Sequence, residues 1–379
     1  MSSQSVDKSP QLDTSPAVFP ALGRFPSLDG WRALSILLVL GAHCKATAGF
    51  PPRLGPVCYW IFDGDLGVRF FFVISGFLIT WLIMAENERN GRVNLWHFYA
   101  RRALRILPVY FAFLCTLLAL QLFTPYEQSA TYWIGNLTFT TNFVGGSWTN
   151  GHLWSLAVEE QFYLLWPIMF VLCRVATQLR TAALLLAIPI CCAPVFRVIT
   201  YLNGYPTLLH PLFTGSSFLN RCDSLAIGCG CAILFARKHT LVHDSLKSRK
   251  NFIALSALTL IVTPSVLSKL LLLGVFTVPL GTSFQACGFA ILLLQSIVVP
   301  RFGFYRVLNA RWVCEIGVLS YSIYIWQQIF CTNPKAFGLG PVWWMSFPGW
   351  LFPVFVVAMI SYYGFERPLF RLRAHFRTA

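Results

Sequence analysis

Four constellations in this 379-residue chain combine residue types and spacings that could do chemistry in an apolar setting. Arg32 and His43 lie eleven residues apart in the first apolar run. Eleven residues are close to three helical turns, so a helix puts both on one face with roughly 16 Å of rise between them. Histidine, with an unperturbed pKa of about 6.5, suits general-base work near neutrality. The alternative is a hydrogen bond across a helix contact, with Arg32 reaching toward the headgroups. This reading sets Arg32 near one surface and His43 well inside. The second constellation is His152-Leu-Trp-Ser155-Leu-Ala-Val-Glu159-Glu160-Gln-Phe162-Tyr163. Two adjacent acids in an apolar helix cannot both face lipid cheaply, so one must meet a polar cavity or a cation. Either catalysis or a structural ion pair would satisfy that.

The third is Arg101-Arg102-Ala-Leu-Arg105. Arg102 and Arg105 are i, i+3 neighbours that can grip phosphates or simply anchor a helix end. The fourth is Arg221-Cys-Asp223. Side chains two apart diverge on a helix, so each needs a partner on another element. Ser75-Gly76 lacks the G-x-S-x-G surroundings of a nucleophile elbow and reads as a close helix contact.

The elements that must position these residues are membrane helices. The chain is 56% hydrophobic and 11% charged, with mean hydropathy +0.63, against about 25% charged in soluble domains. That excludes a water-soluble globule, an intrinsically disordered chain and a small disulfide scaffold. The fold class expected is all-α: a polytopic transmembrane bundle with spans at 31–48, 66–84, 104–123, 153–172, 181–200, 217–236, 252–268, 279–299, 315–331 and 348–366. The seventh and eighth are interrupted by Pro264 and Pro279. Residues 1–26 read as a disordered cytoplasmic tail, 27–372 as one membrane domain and 373–379 as a short basic tail. The first apolar run has no convincing cleavage site after it and should remain as a span. With both termini inside, inner loops and tail hold 19 Lys and Arg and outer loops hold four, as the positive-inside rule requires. The net charge of +15 therefore points to lipid headgroups and not to nucleic acid. The outer loop 124–152 is aromatic and nearly uncharged, suited to stacking on sugar rings. The twelve cysteines form no C-x-x-C pair, so no metal site is expected, and Gly228-Cys-Gly-Cys231 reads as small residues at a helix contact.

Taken in order, these segments resemble the acyltransferase-3 family of integral membrane O-acyltransferases. Arg24-Phe-Pro-Ser-Leu28-Asp29-Gly30-Trp-Arg32 is similar to its opening, Arg32-x10-His43 to its Arg/Lys-x10-His pattern, and Phe71-Phe-Val-Ile-Ser75-Gly-Phe77 to its second span. Arg102-x-x-Arg105 resembles its RxxR segment, His152 to Tyr163 its HxWSLxVEEQFY stretch, and Ser320-Tyr-Ser-Ile-Tyr324 a later helix. One departure stands out: Gln327 follows Trp326 where many members carry histidine, so no histidine role transfers there.

The resemblance implies acyl transfer, most often acetyl, from cytoplasmic acyl-CoA to a hydroxyl of an envelope or exported glycan at a bacterial inner membrane. In some members the acceptor is a small molecule such as a macrolide. It implies His43, Arg32, Glu159 and Glu160 as catalytic candidates and Arg102 and Arg105 as donor-binding. His152, Ser155, Asp223 and Arg221 are acceptor-side or structural polar residues. No SGNH-type esterase segment is seen after the last span, so a separate partner could supply any second transfer step. A proton-coupled transporter is the other class compatible with intramembrane Arg, His, Asp and Glu, and an inactive envelope scaffold the third.

Overall fold

The structure is a computed structural model, and it describes residues 25–202 and 215–372. The expected N-terminal tail, apart from its last two residues, and the C-terminal tail lie outside the described residues. Among the described residues there are ten long helices and no strand. They are α1 Pro26–His43, α2 Gly64–Asn90, α3 Leu95–Phe123, α4 Leu153–Leu172, α5 Leu179–Leu202, α6 Phe218–Arg237, α7 Lys250–Lys269, α8 Thr282–Val298, α9 Arg311–Phe330 and α10 Leu351–Ser361. A π-turn at Thr277–Gly281 leads into α8, and another at Tyr362–Glu366 carries α10 on into Arg367–Leu372. Each falls on an expected span. Among the described residues, seven stretches, containing α2 to α8, are long and apolar enough to cross a membrane. In α1 and α9 polar residues such as Ser35, Ser322 and Gln327 are fully buried against neighbouring helices, so these helices need less apolar surface. In α10 the regular run before the π-turn covers only 11 residues.

The first span is shifted from its expected position. Proline at the first helical turn starts α1 at Pro26, where its missing N–H costs nothing. At the other end Cys44–Ala46 tightens into a 3₁₀ turn, and Ala48 then pairs with Ser346. His43 is therefore the last residue of the helix, and Arg32 lies within it. Pro264 and Pro279 do not break the bundle: α7 continues through Pro264, and Pro279 sits in the π-turn.

Side-chain caps set other boundaries. Asp63 accepts from Leu66 N at 2.9 Å to start α2, and Gly91, with φ 66°, ends it. Asn94 then caps α3 by accepting from His97 N at 3.0 Å, as short polar side chains at helix starts do. Glu86 closes this tight link by accepting from Asn94 N (2.9 Å) and Arg101 (2.6 Å).

The links fall at two ends. At the basic end, Arg237 donates to the Ala176 carbonyl and Gln295 Nε2 to the Lys250 carbonyl. At the far end, Lys269 Nζ donates to the Tyr59 carbonyl at 2.6 Å, and Trp148 Nε1 to that of Cys331 at 2.6 Å.

Helix α2 sits at the centre. Its Phe72, Ile79 and Ile83 join one buried cluster with α3, α4 and α9, while its Phe70, Val73, Ile74 and Phe77 join a second with α1, α6 and α8. It meets α6 at backbone range: a Cβ on Gly76 would overlap the Leu225 carbonyl, and one on Gly228 the Val73 carbonyl. Small residues thus let two buried helices approach as membrane interfaces prefer. A buried ion pair ties α5, α6 and α8 together. Arg197 lies 2.6 Å from Asp223, and both carry further bonds: Arg197 donates to the Asn220 and Pro279 carbonyls, while Asp223 accepts from Ser283 Oγ at 2.5 Å.

Two variants test this packing by thermal unfolding in detergent. Gly228→Val is expected to cost about 1–3 kcal/mol or more, since the Val73 backbone cannot yield. Arg197→Met strands the Asp223 carboxylate and is expected to cost about 3–5 kcal/mol.

Candidate active site

Among the cavities between the helices, two are lined by most of the chemically capable residues. The first lies between α1, α2, α3, α4 and α9. Arg32, Arg102, Arg105, Ser75, Ser155, Glu159, Tyr163, Tyr321 and Tyr324 face it. Glu159 is held from both sides: Ser75 Oγ donates to its Oε1 at 3.0 Å, and Tyr163 OH donates to its Oε2 at 3.0 Å. The Arg102 guanidinium lies over the Tyr163 ring, 5.3 Å from its centre. Three guanidinium groups and one carboxylate around a partly apolar passage give a net positive lining, which favours a polyanion.

The second is a wider cleft at the far end. It is lined by His43, Asp65, Ser147, Trp148, His152 and Trp154, among others. His43 Nδ1 lies 3.2 Å from Gln327 Oε1, and the Trp148 ring stands edge-on to the imidazole at 5.3 Å between centres. Val68 and Tyr324 border both cavities. The Tyr324 hydroxyl is fixed there by Ser155 Oγ (2.6 Å) and by donation to the His152 carbonyl (2.9 Å).

The structure separates residues that the sequence left together. Arg102 and Arg105 turn into the first cavity, whereas Arg101 pairs with Glu86 at 2.6 Å. Of the two adjacent acids Glu159 faces the cavity. Glu160, about 100° further round the helix, does not line it, and its Oε1 is buried without a hydrogen-bond partner among the described residues. Arg32 shares its cavity with Glu159 and lies 3.8 Å from Asp29, while His43 belongs to the cleft.

Both ring nitrogens of His152 are engaged, with Gln328 Oε1 at 2.5 Å and the Ile325 carbonyl at 3.1 Å. Arg221 pairs with Asp65 at 2.7 Å and covers the Trp154 ring, so it borders the cleft. Asp223 lines neither cavity and is consumed by Arg197. Of the loop aromatics, Tyr126 is buried, Phe139 stacks on Tyr110 and Trp133 donates to Gln121. Trp148 is the loop aromatic that reaches the cleft.

Sequence reasoning missed Asp65, Arg197 and Glu366, and gave no role to Tyr163, Tyr324 or Gln327. For Arg197 and Glu366 the signal was present, an ionisable residue in an apolar run. Glu366, buried in the second π-turn, accepts from Ser322 Oγ. Tyr324 and Gln327 are indistinguishable by type from ordinary helix-contact residues.

Comparison with known proteins finds O-acetyltransferases among the relatives of this chain. The chain is 27% identical over 374 residues to the O-acetyltransferase OatA of Staphylococcus aureus (strain NCTC 8325 / PS 47), covering 91% of this chain and 57% of that protein. It is 26% identical over 367 residues to the peptidoglycan O-acetyltransferase OatA of Listeria monocytogenes, with 91% and 55% covered. It is 26% identical over 372 residues to the putative peptidoglycan O-acetyltransferase YrhL of Bacillus subtilis, with 91% and 54% covered. The chain thus spans a little over half the length of these relatives. No solved structure matches it. The acyltransferase domain family matches residues 25–366, nearly all of the described helical bundle, and the chain belongs to this family, acyltransferase-3.

Proposed function

We propose that this protein is a multi-pass O-acyltransferase of a bacterial inner membrane. In this reading it moves an acyl group, acetyl first, from acyl-CoA at a cytoplasmic basic end to a hydroxyl of an envelope glycan at the far end. The observation that carries this reading is the pair of cavities meeting at Val68 and Tyr324, one lined by arginines and the other by His43. The relatives' names make peptidoglycan the first acceptor to test.

Arg102 and Arg105 would pair with CoA phosphates, since guanidinium forks match phosphate oxygens. Arg32 and the Ser75–Glu159–Tyr163 network would line the path of the extended pantetheine arm toward the cleft. About 16 Å of helix separates Arg32 from His43, so Arg32 guides the donor and does not touch the acceptor proton. The acceptor hydroxyl would stand in the cleft. As its oxygen bonds to the acyl carbon, its proton passes to the imidazole. The C–S bond breaks, and the sulfur leaves with the electron pair and is protonated on release. Alignment and exclusion of water are the main demands of this step, because a thioester is already activated. Glu160 and Asp223 have no part in it. His152 and Ser155 hold the Tyr324 wall.

The test uses membranes at matched expression, labelled acetyl-CoA and muramidase-released peptidoglycan fragments, with base-labile label on glycan as readout. His43→Ala is expected to lower transfer by about 10²–10⁴-fold, the range for loss of a general base; undiminished transfer would overturn its role. Arg102→Ala/Arg105→Ala is expected to raise the KM for acetyl-CoA and flatten its salt dependence while changing kcat little. Uptake of substrate into reconstituted vesicles without any acyl-CoA would instead support a transporter.

A further inference from the structure

Resting on that reading of His43, we infer that Gln327 is a positioning residue, which holds the imidazole in its Nδ1–H form and leaves Nε2 as the base facing the acceptor. The amide of Gln327 is fully buried on α9, 284 residues along the chain from His43. Its Nε2 donates to the Tyr324 carbonyl at 3.4 Å, so its oxygen is the atom presented to His43 Nδ1 at 3.2 Å. A carbonyl oxygen only accepts, which requires the proton on Nδ1. Nε2 has no hydrogen-bond partner among the described residues.

The surrounding groups leave this contact in control. Across the cleft, Asp65 on α2 is engaged by Arg69 and Arg221, and both nitrogens of His152 on α4 are occupied. Tyr324 is spent on Ser155 and the His152 carbonyl. Cys331 Sγ donates to the His43 carbonyl, Cys44 Sγ to that of Gly41, and Lys45 lies over the Tyr59 ring. Trp148, edge-on to the imidazole and pinned through its own N–H to the Cys331 carbonyl, limits rotation of the ring. Where the family resemblance leads one to expect histidine, this chain carries a group that cannot take up or release a proton. Position 327 here orients the base without sharing its proton.

The test is ¹⁵N-imidazole NMR of the full chain in lipid nanodiscs, with the His43 signals identified by their loss in His43→Gln. The expected wild-type spectrum has Nδ1 protonated and Nε2 bare, and Gln327→Met mixes or reverses the two forms. A wild-type Nε2–H form, or a tautomer indifferent to Gln327→Met, overturns the inference.

Kinetics supply the second arm, with acetyl-CoA and peptidoglycan fragments. Gln327→Met is expected to lower kcat about 10²-fold with the KM for acetyl-CoA unchanged. Gln327→Glu keeps the acceptor atom and restores transfer. Its acid limb is displaced upward by about one pH unit or more, because a carboxylate at this distance stabilises the imidazolium. A role in packing alone would be filled by Gln327→Met, close to glutamine in volume, with kcat near wild type, and that result also overturns the inference. Full transfer by His43→Ala with the tautomer result intact would remove the catalytic reading and leave the orientation standing. An inactive His43→Ala with an indifferent tautomer would do the opposite.

Discussion

A charge placed inside an apolar bundle has to be met by something other than lipid, and that requirement sorts the polar residues of this protein. Arg197 and Asp223 meet each other, Asp65 meets Arg69 and Arg221, Arg101 meets Glu86, and Glu366 meets Ser322. These groups consume one another and hold helices in place. A second set, Arg32, Arg102, Arg105 and Glu159, instead lines a passage. Their desolvation is relieved by the cavity itself, which also makes them available to a ligand. Scaffold and site thus differ in where their charges are met: the first set inside closed helix contacts, the second at the wall of a cavity.

The arrangement hangs on α2. It carries Val68 on the shared wall, Ser75 in the glutamate network and Gly76 at the α6 contact, and it feeds both buried clusters. A helix enclosed on all sides cannot turn about its axis without disturbing each of these at once. That rigidity suits a transfer reaction, in which alignment supplies much of the barrier reduction.

How much of this was legible in the sequence follows from where the information resides. Ten helical segments could be read because hydropathy and loop charge are local properties, although among the described residues seven stretches are long and apolar enough to cross a membrane. The first helix begins at Pro26, ahead of the expected start at residue 31, because a proline at the first turn is a helix-start signal that hydropathy does not register. Glu159 and Glu160 could not be told apart, since their phase is set by how α4 packs on α2 and α9. The same holds for Arg101 against Arg102 and Arg105. The partner of His43 lies on a helix far along the chain, and nothing in a single sequence links the two positions. Of the aromatic loop, Tyr126 folds inward and Trp133 and Phe139 are tied to α3, while Trp148 reaches the cleft, because a loop over a hydrophobic bundle has its own core to fill.

The shared wall has a further consequence. Two cavities that share Val68 and Tyr324 leave little protein between them, and in the proposed setting the membrane would store energy as a proton gradient. Tyr324, bonded to Ser155 and to the His152 carbonyl and lining both cavities with Val68, would in that setting serve as an electrical insulator as well as part of a reaction chamber. Selection on these residues would answer to leakage current as much as to turnover. A cell could lose viability through a substitution here that leaves the chemistry untouched.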